Sequence, residues 1–312
     1  MEEQLERVAE KPRESLSVGD LASLNLKSNL RGFLHLSGHL GVMLTSGLLW
    51  SIFRQTNLGL ALPALVVYGF SFAAMFAPLH ENCHRTAFAN PRLNDAVAWL
   101  AGLLSFYNST FFRRYHKWHH RYTQIAGKDP ELSDPKPTNL GEYIWQISGI
   151  PWWLGKIRGH WRVATGQMEE FSFIPDSARG ETIRSTRIQL LVYGTAIAFS
   201  LLLGHPWAFV LYWLLPLAVG QPILRAILLA EHANCSTDNN PFTNTRTTLT
   251  AFPLRFLMWN MPFHAEHHLY PSIPFHALPT AHERLKDRWV HLAKGYLRAN
   301  GEIVTQLGRE TA

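Results

Sequence analysis

Long apolar blocks, broken by very short polar joints, dominate the hydrophobic pattern of this chain. They run from about Gly32 to Phe53, Leu58 to Leu79, Ile188 to Leu203 and Trp207 to Ala230. A helix rises about 1.5 Å per residue, so about 20 apolar residues cross the hydrocarbon core of a bilayer. The first, second and fourth blocks meet that length, and the third reaches it with its flanks. Arg54 to Asn57 joins the first pair and Gly204 to Pro206 the second, which leaves room only for hairpins. Ala96 to Phe112 and Ile144 to Trp153 are also apolar but carry Ser, Asn or Gln, and read as interfacial helices. The pattern predicts an all-α integral membrane protein with about four transmembrane helices.

Charge orients these spans. Twelve Lys and Arg lie between Arg113 and Arg187, five lie in the first 31 residues, and the two hairpins carry one, Arg54. Positive charge marks the cytoplasmic side, so both termini and the long middle segment are expected there. The same rule, with attraction to anionic lipid, accounts for the net charge of +6. The basic residues are scattered among membrane segments, which gives no nucleic-acid surface. Cys83 and Cys235 are expected to be reduced and unpaired. The chain divides into a cytoplasmic N-terminal segment (1–31), a membrane domain (32–285) and a cytoplasmic C-terminal tail (286–312).

The candidate chemistry lies in histidine. Nine fall into four clusters: His80 and His84; His116, His119 and His120; His232; and His264, His267 and His268. Residues three and four apart share a helix face, so each cluster can aim several imidazoles at one point. Imidazole is the commonest metal ligand, and nine exceed the three or four protein ligands of a single tetrahedral ion. Two ions with open positions for water or dioxygen fit the count. The charge-derived topology brings all nine to the cytoplasmic ends of the spans. A cytoplasmic helical cap is therefore expected to hold a dinuclear site.

The motifs His80-Glu-Asn-Cys-His84, His116-Lys-Trp-His-His120 and His264-Ala-Glu-His-His268, in this order, resemble the three histidine boxes of the membrane fatty acid desaturases and their hydroxylating and decarboxylating relatives. The resemblance covers roughly Gly32 to Leu285. It implies two irons per chain, dioxygen as co-substrate, and all nine histidines as ligands, with His232 as the additional one near the last span. In some members an Asn one turn earlier also takes part, through water; here that position is Leu228, with Asn234 and Asn260 as possible substitutes. The implied reaction is introduction of a double bond into a fatty acyl or acyl-like chain, with hydroxylation or decarboxylation to a terminal alkene as alternatives. With no further Cys cluster and no haem-binding segment in the chain, electrons are expected from a separate ferredoxin- or cytochrome-type donor and its reductase.

Metal-bound histidines usually donate their second ring N–H to a carboxylate or carbonyl. Glu81 and Glu266, inside boxes, are favoured for this, with Glu231 near in sequence and Asp129 expected to be an ordinary solvated charge. Arg225, two turns before His232, is a charge inside a span, and either holds a substrate carboxylate or pairs with an acidic residue. His35 and His39 are expected to pack, and His160, His205, His276, His282 and His291 carry no motif. A rival from another class is an intramembrane zinc metalloprotease using His80-Glu81-x-x-His84. It leaves six histidines unexplained.

Overall fold

The computed structural model describes residues 15–308; the first positions of the expected 1–31 segment and the last of the 286–312 tail lie outside the described residues. The described chain is mostly helical. In order come α1 (Val18–Leu24), α2 (Asn29–Phe53), α3 (Leu58–Ala73), α4 (Phe76–Cys83), α5 (Pro91–Ser105), α6 (Ser109–Tyr122), α7 (Leu140–Ile147), α8 (Ile150–Thr165), α9 (Asp176–Leu202) and α10 (Leu215–His232). Then follow β1 (Thr247–Leu249), α11 (Phe252–Leu257), α12 (His264–Leu269), α13 (Leu278–Leu285), β2 (Leu292–Lys294) and α14 (Tyr296–Gln306).

Four stretches are long and apolar enough to cross a membrane: Asn29–Phe53, Leu58–Cys83, Asp176–Leu202 and Val210–His232. The second joins α3 and α4, and the fourth adds a π-helical turn, Val210–Leu214, before α10. Polar residues cap the starts of the first two of these helices. Ser28 accepts from the Arg31 N–H at the head of α2, and Asn57 accepts from the Leu60 N–H at the head of α3. Leu30, Leu34, Leu44 and Leu48 on α2, with Leu191 and Phe199 on α9, point outward and exposed, as lipid-facing side chains do.

Within the bundle α3 is central, packed between α2 and α10. Its crossing with α10 requires glycine on both sides. A Cβ on Gly220 would stand 1.9 Å from the Gly69 carbonyl oxygen, and one on Gly69 would stand 2.5 Å from that of Pro216. Small residues at a crossing let membrane helices approach backbone to backbone. His39 is buried against this core, its Nε2 2.7 Å from the Ser71 carbonyl and its Nδ1 accepting from the Trp259 indole at 3.2 Å. His35 reaches the Phe256 carbonyl at 2.8 Å, so both histidines pack helices together.

The third span begins 12 residues before its apolar block, because Asp176 to Arg187 forms polar leading turns of the same helix. One feature is not helical: β1 and β2 pair in parallel, with Thr247 opposite Leu292 and Leu249 opposite Lys294. That pair folds residues 286–306 back onto the body. The Asn300 amide then donates to the Ala226 carbonyl of α10 at 3.1 Å, and Tyr143 of α7 donates to Asn300 at 2.9 Å.

Candidate metal centre

The second and fourth spans run the same way, and their last turns deliver His80, His84 and His232 to one place. Asn108 caps α6 by accepting the Phe111 N–H, which sets the phase that turns His116 and His119 inward. The buried α12 brings His264, His267 and His268. The nine imidazoles converge. Ring nitrogens of His80, His84, His116, His120 and His267 all lie within 4.8 Å of one another, and so do those of His119, His232 and His268. His264 joins the second group, its Nε2 3.2 Å from that of His232 and 3.1 Å from that of His268. In the first group, the Nε2 atoms of His116 and His120 are 2.9 Å apart, and those of His120 and His267 3.1 Å.

This arrangement fits two metal ions. Two ligands about 2.1 Å from one ion, at right angles to each other, stand about 3.0 Å apart. Nε2 of His80 and of His84 are buried with no hydrogen-bond partner among the described residues, a condition a metal would relieve. The donor set is almost wholly imidazole, which suits iron, zinc or copper over magnesium or calcium.

The electrostatics keep the donors free. Burial, then the charge of neighbouring groups, lowers the pKa of His84, His116, His120, His264, His267 and His268. Neutral imidazoles are the form that binds metal. His119 goes the other way. Burial presses its pKa down, but the carboxylates of Glu131 and Asp129 outweigh it and raise it.

Outer contacts fall on the second group. His119 Nδ1 lies 2.9 and 3.0 Å from the two carboxylate oxygens of Asp129, which also accept the Gln124 and Glu131 N–H groups. His232 Nδ1 is 3.0 Å from the Asn244 carbonyl, and His268 Nδ1 is 3.2 Å from the Thr123 hydroxyl. Asp129 is thus no solvated charge. It is buried, because the turn after α6 folds the chain back onto His119.

The two favoured carboxylates lie elsewhere. Glu81 is buried but accepts the Phe275 N–H at 3.0 Å, tying α4 to the segment after α12. Glu266 holds His282 Nδ1 at 2.5 Å and the Thr247 hydroxyl at 2.5 Å, fixing α12 to α13 and β1. His282, without a motif, is therefore a brace for the third box. Glu231 stands 3.4 Å from His264 Nε2. Asn234 and Asn260 both adopt left-handed backbone conformations, which asparagine tolerates. Asn260 donates to the Phe275 carbonyl at 3.0 Å, and neither Asn bonds a box histidine among the described residues. Arg225 donates to the Tyr107 hydroxyl at 3.1 Å and lies over the Trp152 ring.

A cavity of about 410 Å³ opens beside the cluster. Its inner wall includes His80, His116, His119 and His264, and Phe76, Phe112 and Trp152 are among its aromatic walls. Leu228 also lines it. A carbon chain in this cavity would lie directly against the imidazoles.

Comparison with known proteins agrees with this geometry. The fatty acid desaturase family matches residues 57–298. An sn-1 oleoyl-lipid 12-desaturase of Picosynechococcus is 26% identical, over 74% of this chain and 70% of its own length. A Delta(5) fatty acid desaturase of Caenorhabditis elegans is 23% identical, over 77% of this chain and 58% of its own length. A sphingolipid delta(4)-desaturase/C4-monooxygenase of Mus musculus is 25% identical, over 69% and 62% respectively. The chain thus spans less than two thirds of the last two relatives. The family match covers all three boxes and His232, and on that ground the chain belongs to the fatty acid desaturase family of membrane oxidoreductases.

Proposed function

We propose that the protein uses dioxygen and two irons to introduce a double bond into a fatty acyl or acyl-like chain lying in the cavity beside the histidines. The observation that carries this reading is the division of the nine imidazoles into two adjacent groups, both bordering one aromatic-walled cavity. His80, His84, His116, His120 and His267 would hold one iron, and His119, His232, His264 and His268 the other. When bound, the irons would supply the capacity to activate dioxygen and oxidise an unactivated C–H bond.

The protein's own share is placement and protection. Asp129 fixes the ring orientation of His119 and raises its basicity, the usual work of a carboxylate behind a metal-binding histidine. The aromatic walls align the chain and exclude water, so that small displacements of a carbon decide the outcome. Glu81 and Glu266 act as braces between elements and not on the substrate. The zinc-peptidase reading needs Glu81 free beside a metal-bound water. Its bond to the Phe275 N–H, and three further histidines around His80 and His84, speak against it.

The excess of Lys and Arg between Arg113 and Arg187 supports a site on the cytoplasmic face, reached there by a separate ferredoxin- or cytochrome-type donor with its reductase. Hydroxylation is the second reading, since the mouse relative carries both a desaturase and a monooxygenase name. Expression in a host, followed by mass spectrometry of its lipids and free fatty acids, decides between them. Desaturation predicts products lighter by two hydrogens, and hydroxylation predicts products heavier by one oxygen. A lipid profile identical to that of a His120→Ala control contradicts both.

A further inference from the structure

Three polar groups in the cavity wall converge with unspent capacity. The Tyr107 hydroxyl accepts two hydrogen bonds, from Trp152 Nε1 at 2.9 Å and from Arg225 at 3.1 Å. Its own O–H has no acceptor among the described residues. The Arg225 Nε–H is buried and likewise without a partner. Lys156 Nζ stands 3.4 Å from the centre of the Tyr107 ring. Among the described residues, neither Lys156 nor Arg225 forms an ion pair. Tyr107 itself is 6% exposed, and Lys156 and Arg225 are half-buried beside it.

Carboxylates also border the cavity, but they are directed elsewhere. Glu131 lies 3.6 Å from His119 Nδ1 and Glu231 3.4 Å from His264 Nε2, while Asp134 is exposed. Glu131 and Glu231 feel the Arg225 charge and Asp134 that of Lys156, but none comes within ion-pair distance, so the direct contacts of both half-buried cations are left for a ligand. Burial, then the neighbouring guanidinium, lowers the Lys156 pKa against the opposing charge of Asp134, and an incoming anion would act in the same direction as Asp134. The space is there. A Cβ on Gly155 or Gly159, which flank Lys156 on the cavity side of α8, would meet nothing within 4 Å.

We infer that Lys156, Arg225 and Tyr107 form a binding site for the carboxylate of a free-acid substrate, with its hydrocarbon chain extending toward the histidines. This rests on the functional reading above and names its substrate class: an acid whose head group enters the cavity, not a glycerolipid ester held outside it. The distance is short. Seven residues separate Arg225 from His232 on one helix, a rise of about 10 Å. Between them stand the Tyr107 and Phe76 rings, 5.1 Å apart, with Phe76 6.0 Å from His80. The oxidised carbon is therefore near the carboxyl end of the acid. A volume of about 410 Å³ is at the small end for a ligand pocket, which favours a short acid.

Equilibrium binding of radiolabelled octanoate, octan-1-ol and octyl phosphate to the purified full-length protein tests the assignment without turnover. Charge-assisted bonds predict at least about tenfold tighter binding of octanoate than of octan-1-ol. In Lys156→Gln and in Arg225→Gln that preference falls to about threefold or less, while octan-1-ol binds as before and reports an intact cavity. Equal affinity for acid and alcohol in the unaltered protein overturns the inference. So does an acid preference that survives both substitutions, or octyl phosphate binding more than tenfold tighter than octanoate. Iron measured in the same samples separates the two claims: a chain lacking two irons that still prefers the acid sinks only the di-iron reading.

Discussion

Asp129 holds both carboxylate oxygens against His119 Nδ1, a bond that no local motif announces. Asp129→Asn keeps the size and removes the charge. It is expected to cost about 10- to 100-fold in iron affinity or product yield, read by iron titration and by product mass spectrometry. Glu81→Gln is expected to retain iron and lose thermal stability, because Glu81 ties two segments together. His160 supplies a pH prediction. Burial lowers its pKa to about 4, against an ordinary histidine value of 6.5. A folded-state pKa below the unfolded one gives stability that is full above the unfolded value and lost as pH falls toward the folded one. Thermal unfolding is thus expected at lower temperature at pH 5 than at pH 7.5, with a smaller difference in His160→Phe. That ring replacement keeps the stack on Phe106, whose ring centre is 4.7 Å away. At this scale the convergence of the box histidines was legible, because spacings of three and four encode a shared helix face. Their supports were not. Thr123, Asn244 and His282 reach partners through folded contacts that no sequence periodicity records.

The element that most constrains the bundle is the crossing of α3 and α10. Gly220→Leu places a side chain where only 1.9 Å separates its Cβ from the Gly69 carbonyl, and no rotamer relieves a backbone clash. A loss of about 3 kcal/mol or more is expected, visible as a lower unfolding temperature or failure to elute as a monodisperse peak in size-exclusion chromatography. Gly41→Ala is the control. Its Cβ meets nothing within 4 Å, and alanine favours a helix over glycine by about 1 kcal/mol. Three of the four long apolar helices could be read directly from apolar length and the remaining one, the third, with its flanks, and their observed bounds differ from the blocks by a few residues at most ends. The exception is α9, whose polar turns Asp176 to Arg187 carry no hydropathy signal. The β1–β2 pair was illegible for a different reason: each strand has three residues, and their pairing joins positions 45 apart in sequence (292 − 247).

For the whole molecule, orientation and metal content are the claims that matter. The hairpins around Thr56 and His205 are expected outside, and Lys128 inside. Cys83 and Cys235 are buried, so a membrane-impermeant maleimide applied to intact cells should label Thr56→Cys and His205→Cys, and label Lys128→Cys only after permeabilisation. The reverse pattern would invert the topology and move the donor site to the other face. The Lys and Arg counts are what that orientation rests on. The cavity was not legible, since Tyr107 of the loop before α6, Lys156 of α8 and Arg225 of α10 meet only once the helices pack. The account turns on whether the nine histidines hold two irons. Metal analysis by mass spectrometry of the full-length protein, purified without chelators from an iron-replete host, answers this directly. The expected content is about two irons per chain, lost on His→Ala replacement at His120 or His268. One zinc per chain, or a metal-free protein whose stability ignores those replacements, would contradict it.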